Sequence, residues 1–185
     1  PVGVFRTSWS DPNALFLAFK GGSASLSHAH MDAGSFILEA DGVRWAIDLG
    51  RQDYLSLESK GIDLWNSRQD SDRWRVFRLN NFSHNTLTIG DQLHRVGGSA
   101  RITGFHDGSA PDATLDLSPL FARQADSVLR RFQLSADRTV LVRDELTGLA
   151  PGKEVRWAMV TRAQVNVDRN KATLKQNGRT LQARM

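Results

Sequence analysis

Four side chains able to bind a metal or move a proton stand at His28, His30, Asp48 and His84. His28 and His30 lie two residues apart in Ser27-His28-Ala29-His30-Met31-Asp32-Ala33-Gly34-Ser35-Phe36, which runs straight into an apolar strand pattern. That pattern turns at Asp41-Gly42 and returns as Val43-Arg44-Trp45-Ala46-Ile47-Asp48. An Asp-Gly pair between two such runs is a strong signal for a two-residue hairpin. The resulting register sets Ala40 opposite Val43, Leu38 opposite Trp45, Phe36 opposite Ile47 and Ser35 opposite Asp48. Asp48 is thereby expected beside the start of the first strand, within five residues of His30. His84 begins an alternating stretch, His84-Asn85-Thr86-Leu87-Thr88-Ile89, that reads as a strand able to pair alongside. Neutral imidazoles and a carboxylate suit zinc, and three protein ligands with one open position is a common arrangement. His30, Asp48 and His84 are therefore a candidate ligand set. Their separations of 18 and 36 residues form no local motif. Ordinary alternatives stay open: a satisfied or exposed histidine at a strand end, and an aspartate that only closes a turn before Leu49-Gly50. His94 and His106 carry no further pattern.

The elements that must position these groups are nearly all strands. Val4 to Trp9 and Ala14 to Lys20 are strand candidates split by the turn sequence Ser10-Asp11-Pro12-Asn13, and Gly21-Gly22-Ser23 precedes the double-histidine segment. After His84 to Ile89 come candidates at 100–105, 128–134, 139–144, 155–161, 165–168, 172–176 and 180–183. Turn sequences such as Pro151-Gly152 and Asn177-Gly178 separate them. Many short strands with few helical periods predict an all-β fold, an antiparallel β-sandwich. Residues 55–83 break the pattern. Leu55 to Trp65 has room for a helical turn or two, and beyond it Arg68, Arg73, Arg75 and Arg78 interleave with Trp74 and Phe77. A long excursion from a sheet is more often functional than idle. Its plainer reading is a basic cover that packs its aromatics onto the sheet.

Composition bounds the chemistry. At 185 residues, 40% hydrophobic and 24% charged, the chain suits a single domain spanning 1–185 with a sizeable core. It has no cysteine, which excludes disulfides, thiolate metal sites and a thiol nucleophile. No apolar run is long enough for a membrane span, and the N-terminus lacks a signal-peptide layout. The chain begins without methionine, inside a strand pattern, which predicts a piece of a longer protein. Net charge is +4, carried by 19 arginines against five lysines. The guanidinium fork suits carboxylate, sulfate or phosphate, so an anionic polymer is a reasonable partner; simple solvated basic faces are the alternative. No nucleic-acid-binding motif is present.

Taken together, three segments resemble the heparinase II/III-like polysaccharide lyases. They are His28-Ala29-His30-Met31-Asp32-Ala33-Gly34-Ser35-Phe36, Trp45-Ala46-Ile47-Asp48-Leu49-Gly50 with Tyr54, and Ser83-His84-Asn85-Thr86-Leu87. The segments keep family order and separation, and the likeness is clear from about residue 3 to 106. In that family a helical α/α toroid precedes a β-sandwich domain. The resemblance therefore implies that this chain is the sandwich half of a larger, periplasmic or secreted bacterial enzyme.

The resemblance implies that His30, Asp48 and His84 bind Zn2+, which coincides with the set reached from the hairpin. It implies that His28 is a catalytic proton-transfer residue in β-elimination from an anionic, uronic-acid-containing polysaccharide. There a base removes the C5 proton, the carboxylate becomes enolate-like and is stabilised, and an acid protonates the departing oxygen. Arg73, Arg75 and Arg78 are candidate substrate-binding residues. A tyrosine acting as acid or base, and the Asn or His that neutralises the uronate, come from the helical domain in the family, so the chain alone is expected to be inactive. The role of Tyr54, the only tyrosine, is open. The rival readings are a carbohydrate-binding or structural module using Trp65, Trp74 and Phe77 as a sugar platform, and a zinc hydrolase.

Overall fold

Apolar side chains at every second residue give each early strand one face to bury. In a computed structural model, which describes residues 1–185, β1 (Val2–Arg6), β2 (Phe16–Lys20), β3 (Phe36–Ala40) and β4 (Val43–Ala46) form one antiparallel sheet in sequence order. Leu17 and Phe19 point inward from β2, and Phe36 and Leu38 from β3. β5 (Leu87–Ile89) pairs with β10 (Val155–Trp157). A second four-stranded sheet runs β6 (Arg101–His106), β7 (Asp112–Asp116), β8 (Ser127–Leu134), β9 (Val140–Thr147). A three-stranded meander, β11 (Gln164–Asp168), β12 (Lys171–Gln176) and β13 (Arg179–Arg184), closes the chain. The two four-stranded sheets meet face to face: Phe19 stacks on Phe132 with ring centres 4.7 Å apart, and Phe36 lies 5.9 Å from the same ring. The antiparallel sandwich is as expected. No helix is long and apolar enough to cross a membrane.

One inward position of the second sheet is not apolar. The buried residues of β8 are Val128, Arg130, Phe132 and Leu134. Arg130 is fully buried and sits directly opposite Asp144 of β9. Its Nε and Nη2 donate to the two Asp144 carboxylate oxygens at 2.7 and 2.8 Å. Its Nη1 donates to the Gly34 and Asn85 carbonyls at 2.8 and 2.9 Å. The guanidinium is thus satisfied by a partner in its own sheet and by two segments from elsewhere in the chain.

Three details depart from the sequence reading. The hairpin turns at Asp41-Gly42, but Leu38 faces Ala46 and Glu39 faces Arg44, so Trp45 is the extra residue of a β-bulge. The bulge lets Trp45 and Ala46 both be buried and ends the ladder before Asp48. His84 does not begin a strand; β5 starts at Leu87 and pairs with β10 rather than with the hairpin. A strand also forms at 112–116, outside the sequence candidates, since this stretch offers only Ala113 and Leu115 as apolar residues between aspartates. The excursion holds α1 (Tyr54–Glu58) and three short 3-10 turns. It packs Leu57, Leu64, Trp74, Val76 and Leu79 with Met31 and Val96 into a second, smaller core.

Beneath this region His94 is buried, its Nε2 donating to the Leu87 carbonyl at 2.9 Å and its ring edge-on to Phe121. Burial pushes its pKa down to about 4, with the hydrogen bond to Leu87 opposing. The fold therefore keeps a neutral imidazole that the unfolded chain protonates near pH 6.5. This contribution is complete above pH 6.5 and is lost as pH falls toward 4. It amounts to about 3 kcal/mol from the size of the shift. Urea midpoints should fall across that window for the wild type and much less for His94→Gln; parallel curves would show that His94 is not the group responsible.

Candidate active site

Three backbone segments converge. The double-histidine segment is anchored on both sides: the Met31 N–H donates to the Leu79 carbonyl at 2.9 Å, and Lys20 pairs with Asp32 at 2.6 Å. Gly34 then turns into β3 with a φ of 83°, and a Cβ there would lie 2.9 Å from Thr86 Oγ1 and from Leu117. Both the left-handed backbone and the close approach require glycine. Thr86 Oγ1 donates to the Ala33 carbonyl at 2.9 Å, joining this segment to the one that carries His84.

Asn85 makes the third connection. Its Nδ2 donates to the Phe36 and Ile47 carbonyls at 2.7 and 2.9 Å, and its Oδ1 accepts the Val160 N–H at 2.6 Å. A fully buried amide thus holds the residue before Asp48 while its own neighbour in sequence is His84. His84 Nδ1 and Asp48 Oδ2 share a hydrogen bond of 2.7 Å, and the His30 and His84 rings lie 5.5 Å apart. Asp48 Oδ1 also accepts the Gly50 N–H at 2.7 Å, so this carboxylate closes a turn as well as meeting His84.

The electrostatics follow from burial and pairing. Burial, then the neighbouring His84, lowers the His30 pKa and favours a neutral ring. Burial tends to raise that of Asp48, but the hydrogen bond and charge of His84, the Gly50 amide and His30 outweigh it, leaving a net lowering. Neutral imidazoles and an ionised carboxylate are the forms that ligate zinc. His84 Nε2 is buried with no hydrogen-bond partner, the kind of atom that an ion or water would satisfy. The donor types therefore fit a zinc ion. The side chains do not, as they stand, form a group of three converging on one metal position, since Asp48 faces Nδ1 of His84.

His28 stands apart from that cluster, exposed and with a left-handed φ of 59°. Its Nδ1 shares a hydrogen bond of 3.2 Å with the Tyr54 hydroxyl, and the two rings stack. Trp65, 57% exposed, lies edge-on to both rings, and Arg51 sits over Tyr54. An imidazole, a phenol, an indole and a guanidinium are thus gathered on one surface, a composition suited to a sugar and to proton transfer. Tyr54 meets His28 across 26 residues of sequence, a contact that neither its being the sole tyrosine nor its place beside the Trp45–Gly50 segment announces.

The three candidate arginines do different things. Arg73 is 4% exposed and spends its guanidinium on main chain, donating to the Leu64 and Ala29 carbonyls at 2.5 and 2.7 Å. Ala29 lies between the two histidines, so Arg73 braces them from behind. Arg78 donates to the Leu49 and Arg51 carbonyls at 3.1 and 3.4 Å, bracing the segment after Asp48. Arg75 is exposed and pairs only with Asp72 at 3.1 Å. Trp74 is buried in the smaller core, whereas Phe77 is exposed.

The fold is shared with solved structures of a heparinase III and of a heparan sulfate lyase. A crystal structure of heparinase III matches with a TM-score of 0.72 at 18% identity, over 95% of this chain and 26% of that one. A heparan sulfate lyase HepC mutant from Pedobacter heparinus matches with a TM-score of 0.74 at 22% identity, over 94% of this chain and 26% of that one. The chain thus spans about a quarter of those proteins. The Heparinase II/III-like, C-terminal family matches over residues 3–184, and the chain belongs to it. A search of curated protein sequences returned no match.

Asn85→Ala would leave two carbonyls and one N–H buried without partners and should lower stability by about 3–5 kcal/mol. Arg75→Ala, which removes an exposed pair, should change it by less than about 0.5 kcal/mol. Equal denaturation midpoints for the two variants would refute the role given to Asn85.

Proposed function

We propose that the chain is the sandwich half of a lyase that cleaves a uronic-acid-containing polysaccharide of the heparin or heparan sulfate kind by β-elimination. Family membership across residues 3–184 carries this reading. The surface gathered around His28 supports it. In the proposed reaction His28 transfers a proton, with Tyr54 holding its ring through Nδ1 and Trp65 offering a face edge for the sugar. Arg75, exposed and paired only with Asp72, is the arm that meets a carboxylate or sulfate, while Arg73 and Arg78 set the backbone around His28, His30 and Asp48. Zinc held by His30, Asp48 and His84 would supply a fixed link between the segments that carry them. The acid or base partner and the group that neutralises the uronate belong to a helical domain, so the isolated chain is inactive. The enzyme works in the bacterial periplasm or outside the cell. The exposure of Trp65 also favours a second reading, a non-catalytic carbohydrate-binding module.

Two measurements separate these readings. In a protein carrying both halves, His28→Ala should reduce formation of ultraviolet-absorbing 4,5-unsaturated ends from heparan sulfate by about 10²–10⁴-fold. Polymer binding should persist; unchanged turnover would leave only the binding module. Elemental analysis of chelator-free protein should give about one zinc per chain. His30→Ala, Asp48→Ala and His84→Ala should each abolish it, and a metal-free wild type would remove zinc from the proposal.

A further inference from the structure

A second cleft, of about 360 Å³, opens where three loops meet, and its lining includes Gln69, Gln92, Arg95, Arg123 and Gln124. None of these is a residue of the surface around His28 or of the His30, Asp48 and His84 cluster. No carboxylate lines the cleft, while two exposed arginines, Arg95 and Arg123, are among its walls. Gln124 is 7% exposed, and its Oε1 is buried with no hydrogen-bond partner. A buried amide oxygen left unpartnered costs free energy, and a small turn of the Gln124 side chain toward the cleft it lines would let a ligand or water satisfy it.

The walls are held before any ligand arrives. The Gln69 amide is used at both ends, Nε2 donating to the His94 carbonyl at 2.9 Å and Oε1 accepting the Val96 N–H at 2.8 Å. The Arg95 N–H donates to the Leu120 carbonyl at 2.9 Å, tying the second loop to the third. A turn closed by Gln124 N–H to the Phe121 carbonyl at 2.8 Å holds Arg123 at a left-handed φ of 74°. The Gln124 carbonyl in turn accepts the Ala150 N–H at 3.0 Å. Loops bound this way lose little freedom when something binds between them.

We propose that this cleft is a second subsite for one acidic sugar residue of the same polymer. The assignment rests on the substrate class proposed above. Guanidiniums suit a carboxylate or sulfate, and the amides of Gln92 and Gln124, unlike that of Gln69, are left to meet sugar hydroxyls. The cleft is at the small end of ligand sites, which run from roughly 300 to 1,000 Å³, so it fits a single residue rather than an oligosaccharide. A grip separate from the histidine site strengthens attachment to a long chain and leaves the turnover of a short one unchanged.

The test uses the full-length protein carrying this chain, with His28→Ala added to prevent cleavage, and measures binding of long heparan sulfate against a heparan sulfate tetrasaccharide. Arg95→Gln with Arg123→Gln should weaken binding of the long polymer about tenfold or more and flatten its salt dependence. Gln124→Leu should act in the same direction. Arg169→Gln with Arg179→Gln removes the same charge from exposed positions on the meander and should leave affinity unchanged. Equal weakening by the two arginine pairs would reduce the effect to bulk charge and overturn the subsite. So would unchanged binding in the Arg95 and Arg123 variant. If that variant fails to fold by thermal melting, Arg95→Lys with Arg123→Lys keeps the charge and loses the fork; wild-type affinity there would overturn the assignment. With His28 restored, loss of long-polymer binding but retention of tetrasaccharide turnover supports the subsite. A protein that binds through Arg95 and Arg123 yet forms no unsaturated ends refutes the lyase reading and leaves the subsite standing.

Discussion

The arrangement of the site depends on a charge placed where a hydrophobic residue would be expected. Arg130 occupies an inward position of β8 and has no exposure to water. Desolvating a guanidinium costs several kcal/mol unless it is paired and its remaining donors are satisfied. Asp144 provides the pair, and the Gly34 and Asn85 carbonyls take further donors. Those two carbonyls belong to the segments that follow His30 and carry His84. A leucine at this position would pack without specifying where either segment runs. The arginine has its pair and its further acceptors where these segments run as they do here, so the bonds that offset its burial also fix their course.

Asn85 extends the same constraint. Arg130 holds its backbone, and its side chain holds the backbone of β3, of Ile47 and of Val160. Four parts of the chain are joined through two polar side chains, with Asp48 and His84 at the edge of the junction. Main-chain carbonyls do not vary with sequence, so this junction tolerates changes in the apolar core around it. It does not tolerate loss of either polar side chain.

The sandwich was legible because its signals are local: alternating apolar residues, the Asp41-Gly42 turn and the Gly- and Pro-containing separators each act over a few residues. The histidine segments were legible as motifs. What brings them together was not, because it is long-range. Arg130 is 96 residues from Gly34 and 45 from Asn85, and in sequence it is one more arginine in a basic strand. The bulge at Trp45 was hidden for a different reason. An Asp-Gly turn predicts the register next to itself, and only packing decides that Trp45 and Ala46 are both buried. Arg73 reads as a surface cation among Arg68, Arg75 and Arg78; its burial follows from the carbonyls of Leu64 and Ala29, which no spacing announces.

The excursion at 54–83 has its own small core around Trp74 and Met31, distinct from the larger one between the sheets. Met31 is the residue after His30, so the smaller core touches the histidine segment directly. Tyr54 and Trp65 are therefore mounted on a module whose packing is separate from the stacking of Phe19, Phe36 and Phe132. A change within the smaller core therefore reaches the double-histidine segment through Met31 and Arg73, while the contact between the two sheets is left as it is.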